Sequence, residues 1–260
     1  MKKNKDLKKV YTEVFKKGYE NVYTSFKISS KPTDEIMEVL KESTWKGKDV
    51  LDVGCGEGQF AYLAARKGAC IIGLDYIPEA IETAKSRYNH KNLEYKVGDA
   101  EKIEGLYDVI VSIGTLEHMT NPEEVLEIFK KHLKPKGKII ITSPNWTNPR
   151  GYVLMTLFHL FDAPITLADL HYLTPMNFKK WAKKMRMSIK WRTFDHSWGN
   201  GDKMIKDFDR RITNVLRDAK LPNKKKNIQA LIDWLKEYVV PEQNEMPHTG
   251  ALGIYIFSKK

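Results

Sequence analysis

The stretch that decides the fold is VLDVGCGEGQF, residues Val50 to Phe60. Its apolar start is typical of a buried strand, Asp52 follows, and three glycines then fall at alternate positions before a helical pattern begins. Such a turn brings main-chain N–H groups and a helix N-terminus close to a ligand. We expect Gly54, Gly56 and Gly58 to stand where a Cβ atom would collide with that ligand. By itself, the pattern also fits an ordinary tight turn between a strand and a helix.

The rest of the chain alternates short apolar runs with amphipathic segments, which is typical of a mostly parallel sheet wrapped by helices. Helix starts are indicated by Pro78, by Asn121 as an N-cap, and by the pair Thr174 and Pro175. The predicted fold class is therefore α/β, with helices on both faces of the sheet. The segments predicted as strands are DVLDV, CIIGLD, NLEYKV, DVIVSI, GKIIITS, residues 189–194 and ALGIYIF.

Three segments depart from this alternation. Residues 145–173 are apolar but irregular in pattern, and residues 201–240 have the periodicity of two amphipathic helices, suited to a lid or to a dimer contact. Residues 1–47 are predicted to be helical and to include a stripe of aromatic residues that could close over a ligand. The residues of this stripe are Tyr11, Phe15, Tyr19 and Tyr23.

Composition limits the kind of protein. A chain of 260 residues is long enough for one α/β domain with an insertion, and no apolar run has the length of a membrane-spanning helix. The two cysteines show no disulfide or metal spacing, and a cytoplasmic location is the expectation. The net charge of +11 is compatible with RNA or a membrane surface, but 36 of the 44 cations are lysines, which favours a solvated basic surface.

Two more acids follow predicted strands. Asp75 ends the second strand, 21 residues after Gly54, and Asp99 follows the third. The carboxyl ends of parallel strands meet at one edge of an open α/β sheet, where ligands bind. An acid at the first position can accept both hydroxyls of a ribose, and one at the second can reach an adenine amino group. Each acid alone is typical of a solvated loop, but together they predict a nucleoside-containing cofactor.

Two residues argue against a dinucleotide and a dehydrogenase. The dinucleotide fingerprint requires glycine or alanine where this chain has Gln59, and Asp52 suits an ammonium group better than a pyrophosphate. With the later motifs GLDYIPEAIETAK, VGDAEKI, YDVIVSIGTLEHM and LKPKGKIIITSPN, the sequence resembles the class I S-adenosylmethionine (SAM)-dependent methyltransferases. The resemblance covers residues 48–187 and the last strand. It implies a Rossmann-like, seven-stranded sheet whose last strand is antiparallel.

The resemblance implies SAM as cofactor and a role for each matching position. The glycine loop would cradle the amino-acid end of SAM, and Asp52 would support that loop or reach the ammonium. Asp75 would hold the ribose, the two residues after it would flank the adenine, and Asp99 would read the adenine edge. The cofactor-binding residues implied in this way are Asp52, Gly54, Cys55, Gly56, Gly58, Asp75, Tyr76, Ile77, Asp99, Ala100, Ile113 and Gly114.

The motif after the fourth predicted strand bears on the methyl acceptor. IGTLEHM lacks the Asn/Asp-Pro-Pro-Tyr/Phe element of methyltransferases that act on amino groups of bases and glutamine. LEHM resembles the ubiquinone-biosynthesis O-methyltransferases and their small-molecule relatives. By that resemblance, His118 is either a general base for an acceptor hydroxyl or a histidine that anchors its loop. Some members hold a divalent metal with Glu-x-x-Glu-His; Glu117 and His118 match, but Gly114 replaces the first glutamate, so no metal is predicted.

The extent of the resemblance, together with the segment patterns, predicts a division of the chain, because the resemblance weakens in the first 45 residues and is lost over residues 197–249. Residues 1–47 would form an N-terminal helical lid, residues 48–196 and 250–260 the SAM-binding core, and residues 197–249 a helical insertion. By the same resemblance, residues 145–171 would form an apolar cover of the acceptor. Their apolar composition is compatible with contact at a membrane surface. His171 and Tyr172 are placed at the acceptor pocket.

The predicted function is transfer of a methyl group from SAM to a small, partly apolar acceptor, at a hydroxyl oxygen. Two alternatives come from other classes. The basic charge suggests methylation of an RNA, whose binding would be tight and sensitive to salt. The clear cofactor motifs also fit a protein that binds SAM without turnover and acts as a regulator.

Overall fold

The computed structural model describes residues 31–166, 169–241 and 246–259, together with Thr12 and two short strands near the N-terminus. These strands, Tyr19–Glu20 (β1) and Ser25–Phe26 (β2), pair antiparallel. Contrary to the prediction, residues 1–47 are therefore not helical throughout, because YENVYTSF is rich in the aromatic and β-branched residues that favour strands. Tyr19 lies in β1, and the other three members of the aromatic stripe lie outside the described residues, so the lid stays a prediction.

Seven further strands within the described residues form one mixed sheet, which confirms the predicted fold class. They are Asp49–Val53 (β3), Cys70–Asp75 (β4), Leu93–Val97 (β5), Tyr107–Ile113 (β6), Leu133–Pro144 (β7), Ser188–Phe194 (β8) and Leu252–Ser258 (β9). The strand order is β5-β4-β3-β6-β7-β9-β8, with β9 antiparallel to both of its neighbours and the other pairs parallel. The chain leaves β3 in both directions across the sheet, so a crevice opens at the carboxyl ends of the central strands.

Helices pack on both faces of this sheet, and several begin at the predicted signals. The helices are Asp34–Lys41 (α1), Gln59–Arg66 (α2), Pro78–Arg87 (α3), Pro122–Lys131 (α4), Pro149–Phe161 (α5), Pro175–Lys184 (α6), His196–Asn200 (α7), Asp202–Asp218 (α8) and Lys225–Trp234 (α9), the last continued by a π-helical turn over Leu235–Val239. Thr174 and Asn177 form a capping box at the start of α6. Asn121 stands at the N-cap position of α4, but its side chain bonds to Glu124 rather than to the helix backbone.

Helix α5 occupies a segment that the sequence suggested to be irregular. The side chain of Asn148 accepts a hydrogen bond from the N–H of Gly151 at 2.7 Å, and Pro149 fills the first helical position. These two signals start the helix. Its sequence, PRGYVLMTLFHLF, is apolar on nearly all sides. The segment therefore lacks the alternation of polar and apolar faces by which an amphipathic helix is identified.

Apolar residues form one cluster on each face of the sheet and a third cluster outside it. The third cluster lies between α5, α8 and α9, and we call these three helices together with their shared core the cap. Leu154, Phe208 and Ile232 are buried in this core. The two helices predicted over residues 201–240 are thus present, and they share a core with α5. Of the helices in the described ranges, none combines the length and the apolar character needed to cross a membrane.

Candidate functional site

A cavity of about 400 Å³ opens at the carboxyl ends of β3, β4, β5 and β6. Its walls come from the loops after these strands, and Thr33 and Ile36 at the start of α1 close one side. Most of the residues predicted from the sequence are therefore brought together. Those that line the cavity are Asp52, Gly54, Cys55, Gly56, Asp75, Tyr76, Asp99, Ala100, Ile113, Gly114 and His118.

Two of the three glycines are required by packing within the protein. Gly54 and Gly58 have left-handed backbone, with φ of +74° and +81°. A Cβ atom at Gly54 would lie 2.4 Å from Cγ2 of Thr115, and one at Gly58 would lie 2.3 Å from the hydroxyl oxygen of Tyr95. Side chains thus take the space that was expected to be left for a ligand. Gly58, moreover, does not line the cavity.

Asp75 organises the glycine loop from the end of β4. Its Oδ2 accepts a hydrogen bond from the N–H of Gly56, and its Oδ1 accepts one from the N–H of Ile77, both at 2.9 Å. Burial raises the pKa of this carboxyl, and the backbone donors act in the opposite direction. Because an ionised carboxylate can accept about four hydrogen bonds, Asp75 retains capacity for ribose hydroxyls. The side chain of Ile77 is buried outside the cavity, so only Tyr76 of the predicted adenine-flanking pair is in position.

Asp52 is the most perturbed acid of the cavity. It is 2% exposed, and its Oδ2 has no hydrogen-bond partner in the described part of the chain. Burial, with the charge of Asp75 as a second cause, raises the pKa of Asp52 to about 8. An unsatisfied buried carboxyl next to the cavity lacks a cation. The ammonium group of SAM would supply one, so the residues present fit this cofactor.

The ligand-free protein should lose stability through Asp52 as the pH rises from about 4 toward 8. In this window the folded state holds a proton on Asp52 that the unfolded state has released, since its folded pKa of about 8 lies above the ordinary 3.8. The free energy of unfolding then falls by at most about 1.4 kcal/mol per pH unit. Asp52→Asn cannot ionise and should gain stability relative to the wild type across this window. Urea unfolding of both proteins at several pH values measures the difference, and a constant difference would contradict the assignment.

Asp99, Ala100 and Cys55 are further predicted positions that line the cavity. Asp99 follows β5, and its Oδ1 accepts a hydrogen bond from the N–H of Glu101 at 3.0 Å, which fixes the loop that carries Ala100. Burial raises the pKa of the Cys55 thiol well above its ordinary value, so this cysteine stays protonated. Cys55 lines the cavity with its thiol in the protonated form.

A further part of the cavity wall comes from the segment after β6, which contains a 3₁₀ helix, Leu116–His118. His118, Met119 and Thr120 line the cavity there. The Nδ1 atom of His118 lies 3.5 Å from Oδ1 of Asp169, a residue of the loop between α5 and α6. The site thus combines a buried acidic end, suited to a cofactor, with an imidazole that is backed by a carboxylate.

Two buried carboxyls that the sequence did not bring together lie at Gly114. A Cβ atom on this glycine would be 3.8 Å from Oε1 of Glu35 and 4.0 Å from Oε1 of Glu117. Burial raises the pKa of both acids, and that of Glu117 rises well above its ordinary value. Helix α1 therefore brings a carboxyl to the place where the Glu-x-x-Glu-His element has its first glutamate. Nevertheless, among the residues that the structure describes, no group of three or more His, Cys, Asp and Glu is placed to hold a metal ion.

His171 and Tyr172 do not line the cavity, contrary to the expectation. Nε2 of His171 lies 3.1 Å from the carbonyl oxygen of Thr120. The ring of Tyr172 packs edge-on against Trp146 in the cap. Asp169, two residues before His171, is the functional candidate in this loop. No sequence signal pointed to it, because 51 residues separate it from His118.

Known families and curated proteins give a consistent comparison. A family model described as a methyltransferase domain matches residues 45–231. The chain is 32% identical over 138 residues to the mitochondrial ubiquinone biosynthesis O-methyltransferase of Schizosaccharomyces pombe, an alignment that covers 50% of this chain and 50% of that protein. The chain spans about half the length of the curated relatives it matches.

Solved structures share the fold. A putative methyltransferase from Haloferax volcanii, in complex with the methyltransferase activator Trm112, aligns with a TM-score of 0.61 at 15% identity, over 98% of this chain and 97% of that chain. Magnesium protoporphyrin IX methyltransferase from Synechocystis, with bound SAH, aligns with a TM-score of 0.52 at 15% identity, over 71% and 91% of the two chains. At such identities the similarity shows the fold alone.

Proposed function

Because this chain belongs to the methyltransferase domain family, we propose that it transfers the methyl group of SAM to a hydroxyl oxygen of a small, partly apolar acceptor. The observation that carries the proposal is one cavity that is lined by Asp52 and Asp75, from β3 and β4, and by His118, from the segment after β6. The curated relatives are named as O-methyltransferases, which supports oxygen as the acceptor atom. The apolar side chains of Ile36 and Met119 in the same cavity favour an acceptor that is partly apolar.

The acidic end of the cavity holds the cofactor in this proposal. SAM supplies a methyl group on a sulfonium, which is electrophilic without activation by the protein. Asp52 pairs with the ammonium, and Asp75 accepts from the ribose while it keeps the Gly56 N–H in place. Asp99 reads the adenine edge, and Gly114 lies along the methionine arm.

The protein then has to orient the acceptor, exclude water and remove a proton. His118 is suited to the last task, because a histidine can be neutral near pH 7 and so accept the proton of a hydroxyl. It lines the cavity on the β6 side, away from the wall that Asp99 and Ala100 form. The hydroxyl proton would move to His118 as the acceptor oxygen bonds to the methyl carbon and the sulfur–methyl bond breaks, which leaves the neutral thioether S-adenosylhomocysteine.

Two neighbouring segments are proposed to complete the site. The N-terminal segment is proposed to act as a lid, which is supported by Thr33 and Ile36 at the start of α1, because both line the cavity. The insertion proposed for residues 197–249 covers the acceptor together with α5, because they share one apolar core. Tyr152, Leu160 and Phe161 of α5 are exposed, which is compatible with contact at a membrane surface.

The test is a transfer assay with SAM labelled in its methyl group. The purified protein is incubated with a metabolite extract or with total RNA, and the labelled product is identified by mass spectrometry. The proposal expects a labelled methyl ether in the metabolite fraction. Label in RNA would favour the alternative suggested by charge. SAM binding in calorimetry without transfer to either fraction would favour a regulatory protein.

A further inference from the structure

The imidazole of His118 is backed by a buried carboxylate from another part of the chain. Oδ1 of Asp169 lies 3.5 Å from Nδ1 of His118, and the two side chains are 12% and 19% exposed. A carboxylate next to Nδ1 of a neutral histidine favours the tautomer that carries its proton on Nδ1. Nε2 then carries the lone pair and is the nitrogen that can accept a proton.

The chain around Asp169 is fixed to the 3₁₀ helix that carries His118. The carbonyl oxygen of Glu117 accepts hydrogen bonds from the N–H groups of Leu170 and His171, at 3.0 Å and 3.1 Å. On the other side, Nη1 of Arg211 in α8 donates to the carbonyl oxygen of Ile165 at 2.9 Å. The two backbone hydrogen bonds to Glu117 therefore hold the segment that follows Asp169 against the 3₁₀ helix, independently of the contact between Asp169 and His118.

Two largely buried arginines of the cap, Arg150 and Arg211, favour the deprotonated, negatively charged form of Asp169. Arg150 and Arg211 both bond to Asp207, which leaves this triad with one positive charge in excess. Burial raises the pKa of Asp169, while the charges of His118, Arg150 and Arg211 act in the opposite direction. The other acids near the pair are Glu117 and, from α1, Glu35, and burial raises the pKa of both.

We propose that Asp169 is a positioning residue, which orients the imidazole of His118 and stabilises its protonated form during methyl transfer. The inference rests on the proposed function of His118 as the base. The proton of the acceptor hydroxyl passes to Nε2 as the oxygen–methyl bond forms and the sulfur–methyl bond breaks. The imidazolium pairs with Asp169 and afterwards releases this proton to solvent. The cap, which supplies Arg150 and Arg211, thereby contributes to the reacting end of the site.

The test compares Asp169→Asn with the wild type by nitrogen-15 NMR of labelled histidine, with the His118 signal assigned through His118→Ala. An opposite charge at this distance typically shifts a pKa by about one unit or more. The pKa of His118 should therefore fall by about one unit in Asp169→Asn, and kcat should fall by about tenfold. The acid limb of the kcat profile should move to lower pH, whereas SAM affinity should stay unchanged. Asp169→Glu, which keeps the charge, should recover part of both effects.

Asp162→Asn is the matched control, because Asp162 lies in the same loop, is exposed, and should change none of these quantities. Should Asp169→Asn fail to fold, the wild-type spectrum still decides, since the proposal requires neutral His118 to carry its proton on Nδ1. An unchanged His118 pKa in folded Asp169→Asn, or a wild-type proton on Nε2, overturns the pairing. The NMR titration needs no acceptor. A shifted pKa with full activity in His118→Ala would therefore reject the proposed base and keep the pairing.

Discussion

Replacing His118 by alanine should lower kcat by about 10²–10⁴-fold while SAM affinity stays nearly constant. The large effect is expected because a general base typically contributes that factor to a reaction that must remove a proton. The constant affinity is expected because the acids proposed to hold the cofactor follow β3, β4 and β5, whereas His118 follows β6. Transfer rates at saturating SAM, together with calorimetry for SAM, measure the two quantities separately.

The competing interpretation makes His118 an anchor of its loop. The structure already holds the 3₁₀ helix through its backbone, since the N–H of His118 donates to the carbonyl oxygen of Thr115 at 3.0 Å. An anchor would lower the melting temperature and SAM affinity together with the rate. His132→Ala is a suitable control, because the imidazole of His132 contacts the carbonyl oxygen of Gly105 and does not line the cavity. Full turnover by His118→Ala would indicate an acceptor nitrogen, sulfur or carbon that needs no base.

Much of the fold could be predicted from the sequence because its signals are local. Strands β3 and β6 and the second half of β7 are largely buried, as expected for central strands covered on both faces, and the helices that follow β4 and β6 begin at proline. The acids Asp52, Asp75 and Asp99 were found for the same reason, since each stands at or after the end of a strand. These motifs also indicated that the chain is a methyltransferase, and the family comparison confirms this.

What the sequence did not reveal depends on contacts between distant segments. Helix α5 lacks an amphipathic pattern because it is apolar on more than one side: Leu154 is buried in the cap, whereas Tyr152, Leu160 and Phe161 are exposed. Glu35 and Asp169 reach the site from α1 and from a loop, and neither stands in a motif. The packing reason for Gly54 and Gly58 was also hidden, because a Cβ atom on them would collide with Thr115, in the loop after β6, and with Tyr95, in the middle of β5.

Asp75→Ala should weaken SAM binding by about 2–3 kcal/mol, or roughly 30–150-fold in Kd. The estimate is that of hydrogen bonds to a charged group lost from a closed site. The structure adds a second cause, because the same carboxylate holds the N–H groups of Gly56 and Ile77. Without it, two backbone donors next to the cavity lose their acceptor, and the glycine loop loses its fixed position. The ligand-free variant should therefore also be less stable than the wild type.

Two further variants separate the ribose contact from the support of the loop. Asp75→Asn keeps one side-chain oxygen and can still accept from one of the two backbone N–H groups, so its stability should lie between those of the wild type and Asp75→Ala. Adenosine alone, which has the ribose but no ammonium, should lose affinity for Asp75→Ala about as much as SAM does. Asp49→Asn, at the opposite end of β3, is the control and should bind SAM normally, because Asp49 pairs with Lys134 on the surface. If calorimetry finds the same Kd for SAM in the wild type and Asp75→Ala, Asp75 serves the loop alone, and the ribose must be held by another residue of the cavity.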